Sequence, residues 1–149
     1  MQTYVHKTAA ERRAEIQARA SSLGIDEDYI SLLVESFYNR IRKDEILGPI
    51  FAAEITGDWG PHLTKMKQFW SSVALNSGSY SGRPVPAHQK LSGISPEHFD
   101  RWLMLFRSTL EETAPSQEAI GYFMERAERI AESLKLAMFG HLEIPTRNT

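Results

Sequence analysis

The chain has 149 residues, 42% of them hydrophobic, enough for one domain with a sizeable core and too short for two ordinary ones. Seventeen basic and nineteen acidic side chains leave a formal charge of −2 with no long block of either sign, so no nucleic-acid footprint is present and the partners expected are small or neutral. The absence of cysteine excludes a disulfide framework, a thiolate-held iron-sulfur cluster and a thiolate nucleophile; with no apolar signal core and no apolar run of about 18 residues, the reading is a soluble cytoplasmic protein that engages no membrane.

Residues 1–25 are polar and charged, and the run from Ala9 to Ala20 combines strong helix formers with only a thin apolar stripe, so this segment reads as an N-terminal extension, either helical or frayed. The main body, residues 26–142, opens at Asp26, a natural N-cap, after which Tyr29, Leu32, Leu33, Phe37 and Ile41 recur at helical spacing and predict a helix over about 27–42. Leu47-Gly48-Pro49-Ile50-Phe51 then breaks the pattern, with at most a short helical turn before the corner. A second strong helix is predicted from Asp58 to about Asn76, tolerating Pro61 in its first turn and presenting Trp59, Leu63, Met66, Phe69, Trp70 and Val73 on a broad apolar face. Gly78, Gly82, Pro84 and Pro86 make 77–86 a loop. Ser95-Pro96-Glu97 is a strong helix start, followed by Phe99, Trp102, Leu103, Phe106 and Leu110 on one face. The last helix begins near Ser116, carries Ile120, Phe123, Ala127, Ile130, Leu134 and Met138, and stops at Gly140; residues 143–149 form a frayed tail. Without strand alternation or repeats the class is all-α, and loops of unequal length favour an irregular helical fold over a regular up-down bundle.

The common catalytic signatures are missing. No His-Glu-x-x-His, Glu-x-x-His, Gly-x-Ser-x-Gly or phosphate-cradling glycine loop occurs, which removes support for a zinc hydrolase, a carboxylate di-iron bundle, a serine hydrolase and a nucleotide reader. Of the five histidines, His6 and His141 lie in polar ends that rarely hold preorganised ligands, and His98, in the first turn of its helix, reads as an exposed or capping residue. His62 and His88 differ. His62 shares a helical face with Met66 and Phe69, and His88 follows the rigid segment Arg83-Pro84-Val85-Pro86 and precedes Leu91 and Ile94. A helix on one side and a short irregular segment on the other could present imidazoles to a metal-centred cofactor in an apolar slot, although each residue read alone is equally a satisfied core histidine. Tyr38 and Trp102 each carry a hydrogen-bond donor on an apolar body in the middle of a helix, and are either core residues or members of a donor cluster in that slot.

These residues also carry a family resemblance. Phe37-Tyr38-Asn39-Arg40-Ile41-Arg42-Lys43-Asp44 with Leu47-Gly48-Pro49-Ile50-Phe51, then Trp59-Gly60-Pro61-His62 with Phe69-Trp70, resembles the group III truncated hemoglobins. So does Tyr80-Ser81-Gly82-Arg83-Pro84 with Ala87-His88-Gln89-Lys90-Leu91, followed by His98-Phe99-Asp100-Arg101-Trp102-Leu103. The likeness covers roughly residues 28–138, and the paired-glycine motifs of the other truncated groups are absent.

The resemblance implies a globin-like two-over-two helical sandwich around a b-type heme, with 26–142 as the globin domain. It implies His88 as the iron ligand, Tyr38 and Trp102 as distal donors, and His62 at a distal helix position that contacts bound ligand or gates the pocket. Phe51 resembles the phenylalanine that packs on the porphyrin, with Phe69, Trp70, Leu91, Ile94, Phe99 and Leu103 as further cofactor contacts. Lys65 and Arg83 are candidates for a heme propionate, each with a solvated surface charge as its alternative. The implied function is binding of dioxygen, nitric oxide, carbon monoxide or peroxide. A heme peroxidase or nitric oxide detoxification enzyme is the alternative, and because no flavin or nicotinamide motif is visible it would need an external reductase. A cofactor-free helical interaction module, with both histidines buried as structural residues, is a third reading.

Overall fold

The computed structural model describes residues 8–78 and 94–140, and among these it contains six helices and no strands. In chain order they are α1 (Ala9–Ser22), α2 (Glu27–Lys43), α3 (Leu47–Glu54), α4 (Gly60–Leu75), α5 (Pro96–Thr113) and α6 (Gln117–Phe139). None is long and apolar enough to cross a membrane.

Each start has a local cause. Asp26 accepts a hydrogen bond from the Tyr29 amide at 2.8 Å, and Ser116 accepts one from the Ala119 amide at 3.2 Å, so both satisfy donors that a helix N-terminus leaves open. At α5 the cap is unusual: the Ser95 amide donates to Nδ1 of His98 at 3.0 Å, the imidazole standing where a capping box ordinarily has a glutamate or glutamine. Asn76 and Gly140 end α4 and α6 in the left-handed conformation that asparagine and glycine tolerate best.

Helix α2 is the hub, packing on α3, α4 and α5, while α6 packs on α5 and α4. Its buried face is Tyr29, Ile30, Leu33, Val34, Phe37, Tyr38 and Ile41. The centre of the core is an aromatic stack. Phe106 lies nearly parallel to Trp102 on one side, at 5.4 Å between ring centroids and 4°, and to Trp70 on the other, at 4.9 Å and 19°. Phe37 meets Phe106 edge-on at 5.0 Å. Burying a phenylalanine side chain contributes about 1.5 to 3 kcal/mol and each favourable ring pair about 0.5 to 1.5 more, so this stack joins α2, α4 and α5 more firmly than aliphatic contacts alone.

Residues 9–22, read from sequence as an extension, form α1, closed at its start by the reciprocal Thr8 and Glu11 capping box. The helix docks on the C-terminal end of α4. Gln17 Nε2 donates to the Leu75 carbonyl at 3.0 Å, and the Tyr122 hydroxyl of α6 donates to the neighbouring Ala74 carbonyl at 2.7 Å. The guanidinium groups of Arg19 and Arg126 both lie over the Tyr122 ring, at 5.9 and 3.5 Å.

The segment Leu47-Gly48-Pro49-Ile50-Phe51 is a correction to the sequence reading, since it does not break the helical pattern but forms most of α3. Pro49 falls in the first turn, where its missing N–H costs nothing. Gly48 is needed for a close approach: a Cβ there would stand 2.9 Å from the Arg42 carbonyl oxygen at the end of α2. The corner between the two helices is held by Asp44. Its Oδ2 accepts from the amides of Ile46 and Leu47 at 3.1 and 2.8 Å, and its two oxygens receive Nε and Nη2 of Arg101, from α5, both at 2.7 Å. The carboxylate is 7% exposed. Its hydrogen bonds to Arg101, followed by those to the backbone amides, outweigh the effect of burial and lower its pKa from 3.8 to about 2.

Because the folded value is depressed, this stabilisation is complete above pH 3.8 and is lost as the pH falls from there through about 2. Asp44→Ala should lower stability at neutral pH by at least the roughly 1 kcal/mol typical of a lost cap, and should flatten the acid limb between pH 4 and 2. Chemical denaturation at a series of pH values measures both, and an acid limb as steep as that of the parent would show that Asp44 does not set it.

Candidate cofactor-binding site

The aromatic positions of α2, α3 and α4 converge on Tyr38. Its ring, 5% exposed, meets His62 edge-on at 5.0 Å and 88°, Phe51 at 6.1 Å and 73°, and Trp59 at 6.4 Å. The convergence follows from local structure. Tyr38 sits beside Phe37 on the buried face of α2, the Gly48 approach brings α3 and Phe51 against that face, and α4 starts at a turn in which the Gly60 amide donates to Asp58 Oδ1 at 3.0 Å. His62 then lies one turn into α4, with Nε2 fully buried.

Burial pushes the Tyr38 phenol well above its ordinary value of 10.0, so the hydroxyl keeps its proton throughout the neutral range. No hydrogen-bond partner for that hydroxyl lies among the described residues. A protonated phenol without such a partner is available to donate to a small polar group.

Trp102 approaches the same region from α5. Its ring is fixed by the stack on Phe106 and by an edge contact with Phe37 at 5.3 Å and 84°. Phe37 also touches Tyr38, at 5.1 Å, so one phenylalanine supports both donor-bearing side chains. Leu103, next in sequence, packs against the main core and against a second, smaller cluster formed by Phe99, Ala131 and Leu134, with Ile94, Met138 and Phe139 at its edge.

The remaining sequence-derived positions divide into three groups. Phe69 is half-buried on α4, its ring 5.4 Å from Trp70. Trp70 is 2% exposed and enclosed by Phe69, Phe106 and Phe123, so within the described residues it backs the site from the core rather than lining an open face. Lys65 is exposed on α4. Ile94 and Phe99 belong to the smaller cluster, away from the rings around Tyr38. Arg83, His88 and Leu91 lie outside the described residues.

Two positions went unnoticed in the sequence as site residues. Trp59 lies edge-on to His62 at 5.7 Å and 88°, and the guanidinium of Arg42 sits 4.8 Å from the Trp59 ring centroid. The signal was spacing: Arg42 follows Tyr38 by four residues and Trp59 precedes His62 by three, which puts each pair on one helix face.

This donor set fits a heme. A protonated phenol with an unspent hydrogen bond, a fixed indole and an imidazole stand at an apolar wall that includes Phe51, and Leu103 joins that wall to a second apolar cluster. Such a site combines an apolar surface for a macrocycle with donors for a small polar ligand.

Known proteins resemble this chain over most of its length. The family model described as bacterial-like globin matches residues 21–136. The group 3 truncated hemoglobin ctb of Campylobacter jejuni is 35% identical over 118 residues, covering 77% of this chain and 92% of that protein. The group 2 truncated hemoglobin YjbI of Bacillus subtilis is 26% identical over 114 residues, covering 74% and 83%. The crystal structure of the group III truncated hemoglobin from Campylobacter jejuni superposes with a TM-score of 0.71, covering 76% of this chain and 91% of that one. The globin-like two-over-two arrangement expected from the sequence is thus the fold of this chain, and the chain belongs to the bacterial-like globin family, in its group III truncated-hemoglobin branch.

Proposed function

We propose that this protein holds heme b through His88 and binds dioxygen, nitric oxide or carbon monoxide in a distal pocket made by Tyr38, Trp102 and His62. Globin membership supports a heme protein with a small gaseous ligand in general. The observation that carries the finer reading is the Tyr38 hydroxyl, buried and protonated beside Phe51 and His62 with no hydrogen-bond partner among the described residues. When bound, the heme supplies an iron with a coordination position open to a diatomic ligand.

The chain's own part is to aim donors and exclude water. Tyr38 donates its O–H toward a bound ligand that carries partial negative charge, and Trp102 donates its indole N–H from a ring locked by Phe106 and Phe37. Because the phenol is buried among apolar rings, its dipole acts in a low dielectric and is worth more than it would be in water. His62, edge-on to Tyr38, limits the space in which the hydroxyl swings and adds a third polar group. Phe51, Phe69 and Leu103 wall the macrocycle and Trp70 backs them, with Leu91, Ile94 and Phe99 carried over from the family resemblance as further cofactor contacts. Lys65 and Arg83 are carried over from the family resemblance as candidate partners for the propionates.

The deciding experiment is an absorption spectrum of the heme-reconstituted protein, ferric, ferrous and then with carbon monoxide, alongside His88→Ala. A Soret band that shifts with carbon monoxide in the parent, and is lost or altered in the variant, is expected; an unchanged variant spectrum would remove His88 as the ligand, and no Soret band in the parent would remove the heme reading.

Tyr38→Phe and Trp102→Leu should each speed dioxygen release about five- to a hundredfold, corresponding to one hydrogen bond to a charged acceptor of roughly 1 to 3 kcal/mol. Since burial raises the Tyr38 pKa above 10.0, the parent's release rate should stay flat through pH 10. Stopped-flow measurement settles both points, and unchanged release in the two variants means that other groups hold the ligand.

A further inference from the structure

Trp59 occupies a layer between solvent and the donor pocket. Arg42 is exposed, Trp59 and His62 are half-buried, and Tyr38 is 5% exposed, so the four side chains form a graded series from surface to interior. Contact is continuous along it. The Arg42 guanidinium is 4.8 Å from the Trp59 ring centroid; the Trp59 ring is 5.7 Å from His62 and 6.4 Å from Tyr38; and Tyr38 and His62 are 5.0 Å apart. The three rings therefore make a closed triangle, and two of its members are the polar groups assigned above to the ligand.

The supports of Trp59 are rigid. Its carbonyl accepts the Leu63 amide at 2.9 Å as the first bond of α4, and Pro61 fixes the turn in which it sits. Arg42 stands on α2 one turn beyond Tyr38, so the same helix face supplies both the donor and the cation that holds the indole over it. A planar guanidinium stacks well on an indole face, which suits Arg42 as the outer cover of the Trp59 ring.

We infer that Trp59 is a positioning residue, which fixes the side chains of Tyr38 and His62 for ligand binding, and that Arg42 clamps it in place from the solvent side through a cation–π contact. The inference rests on the heme reading for its functional consequence and on the described rings alone for its geometry. A loosened Trp59 lets the His62 and Tyr38 rings sample more than one arrangement, so donor strength becomes heterogeneous and access becomes faster.

The test uses Trp59→Leu, Trp59→Phe, Arg42→Gln and Arg42→Lys in the ferrous carbon monoxide form. The C–O infrared stretch reports the donors around the ligand, aromatic 1H–13C NMR reports the Tyr38 and His62 rings, and flash photolysis gives the association rate. Trp59→Leu should split or broaden the C–O band and shift both ring signals. Arg42→Gln, a surface change that leaves the fold intact, should shift them the same way with association about two- to fivefold faster, the size of an exposed cation–π contact. Trp59→Phe and Arg42→Lys should return toward the parent. A merely structural role would lower the melting temperature and leave the C–O band and ring signals in place, and that result in Trp59→Leu and Arg42→Gln overturns the inference. If the parent shows no Soret band the heme reading fails separately, and the ring signals of the heme-free chain decide: shifted in Arg42→Gln they uphold the positioning role, unshifted they overturn it.

Discussion

The parallel packing of Phe106 between Trp70 and Trp102 is the constraint on which the rest of the molecule depends. Trp70 comes from α4 and the other two rings from α5, one turn apart, while Phe37 of α2 closes the stack edge-on. Three helices are thereby fixed by rings whose planes must match, a stricter demand than aliphatic packing makes. The stack runs outward from the core, since Trp70 is 2% exposed and Phe106 1%, whereas Trp102 is only partly buried. Its outer member is the residue assigned as an indole donor. The same contacts that hold the helices together thus set the plane of a functional ring, which needs no hydrogen bond of its own to be held.

Tyr38 shows the opposite economy. The stack is held by ring contacts alone, whereas the Tyr38 ring, packed on Phe37, Phe51 and His62, carries into a buried position a hydroxyl with no partner among the described residues. A core selected for stability alone would place phenylalanine there. Under the proposed function the missing partner is the ligand, which meets a donor already held in place by its ring contacts.

The helices were legible because their cues are local. Asp26, Ser95 with Pro96, and Ser116 start them, Asn76 and Gly140 end them, and the apolar stripes of α2, α4, α5 and α6 follow the 3.6-residue period. Helix α3 was missed because glycine and proline argue against a helix, whereas Pro49 falls in the first turn, where it is tolerated, and Gly48 is required by its close approach to the Arg42 carbonyl, which only the folded corner shows. The pairing of Tyr38 with His62 was anticipated as a convergence on one slot, whereas Trp59 and Arg42 were passed over, the first read as one more member of an apolar face and the second given no role of its own. Their meaning comes from lying between two helices. His98 was legible only as a choice between exposure and capping, and its bond from the Ser95 amide shows the second.

One further link ties the frame to the site. Asp44 holds the start of α3 through two amides and grips Arg101 of α5 through two more hydrogen bonds. Phe51 lies four residues beyond Leu47 on the first of these helices, and Trp102 follows Arg101 directly on the second. A bidentate charged pair has a narrow range of acceptable geometries, so the separation between the helix bearing Phe51 and the helix bearing Trp102 is set by a clamp outside the aromatic cluster. Matched ring planes still leave some sliding within the plane, and the directional clamp removes that freedom. Apolar rings supply most of the attraction, and a single carboxylate, capping one helix while pairing with another, supplies the register that holds the helix bearing Phe51 against the helix bearing Trp102.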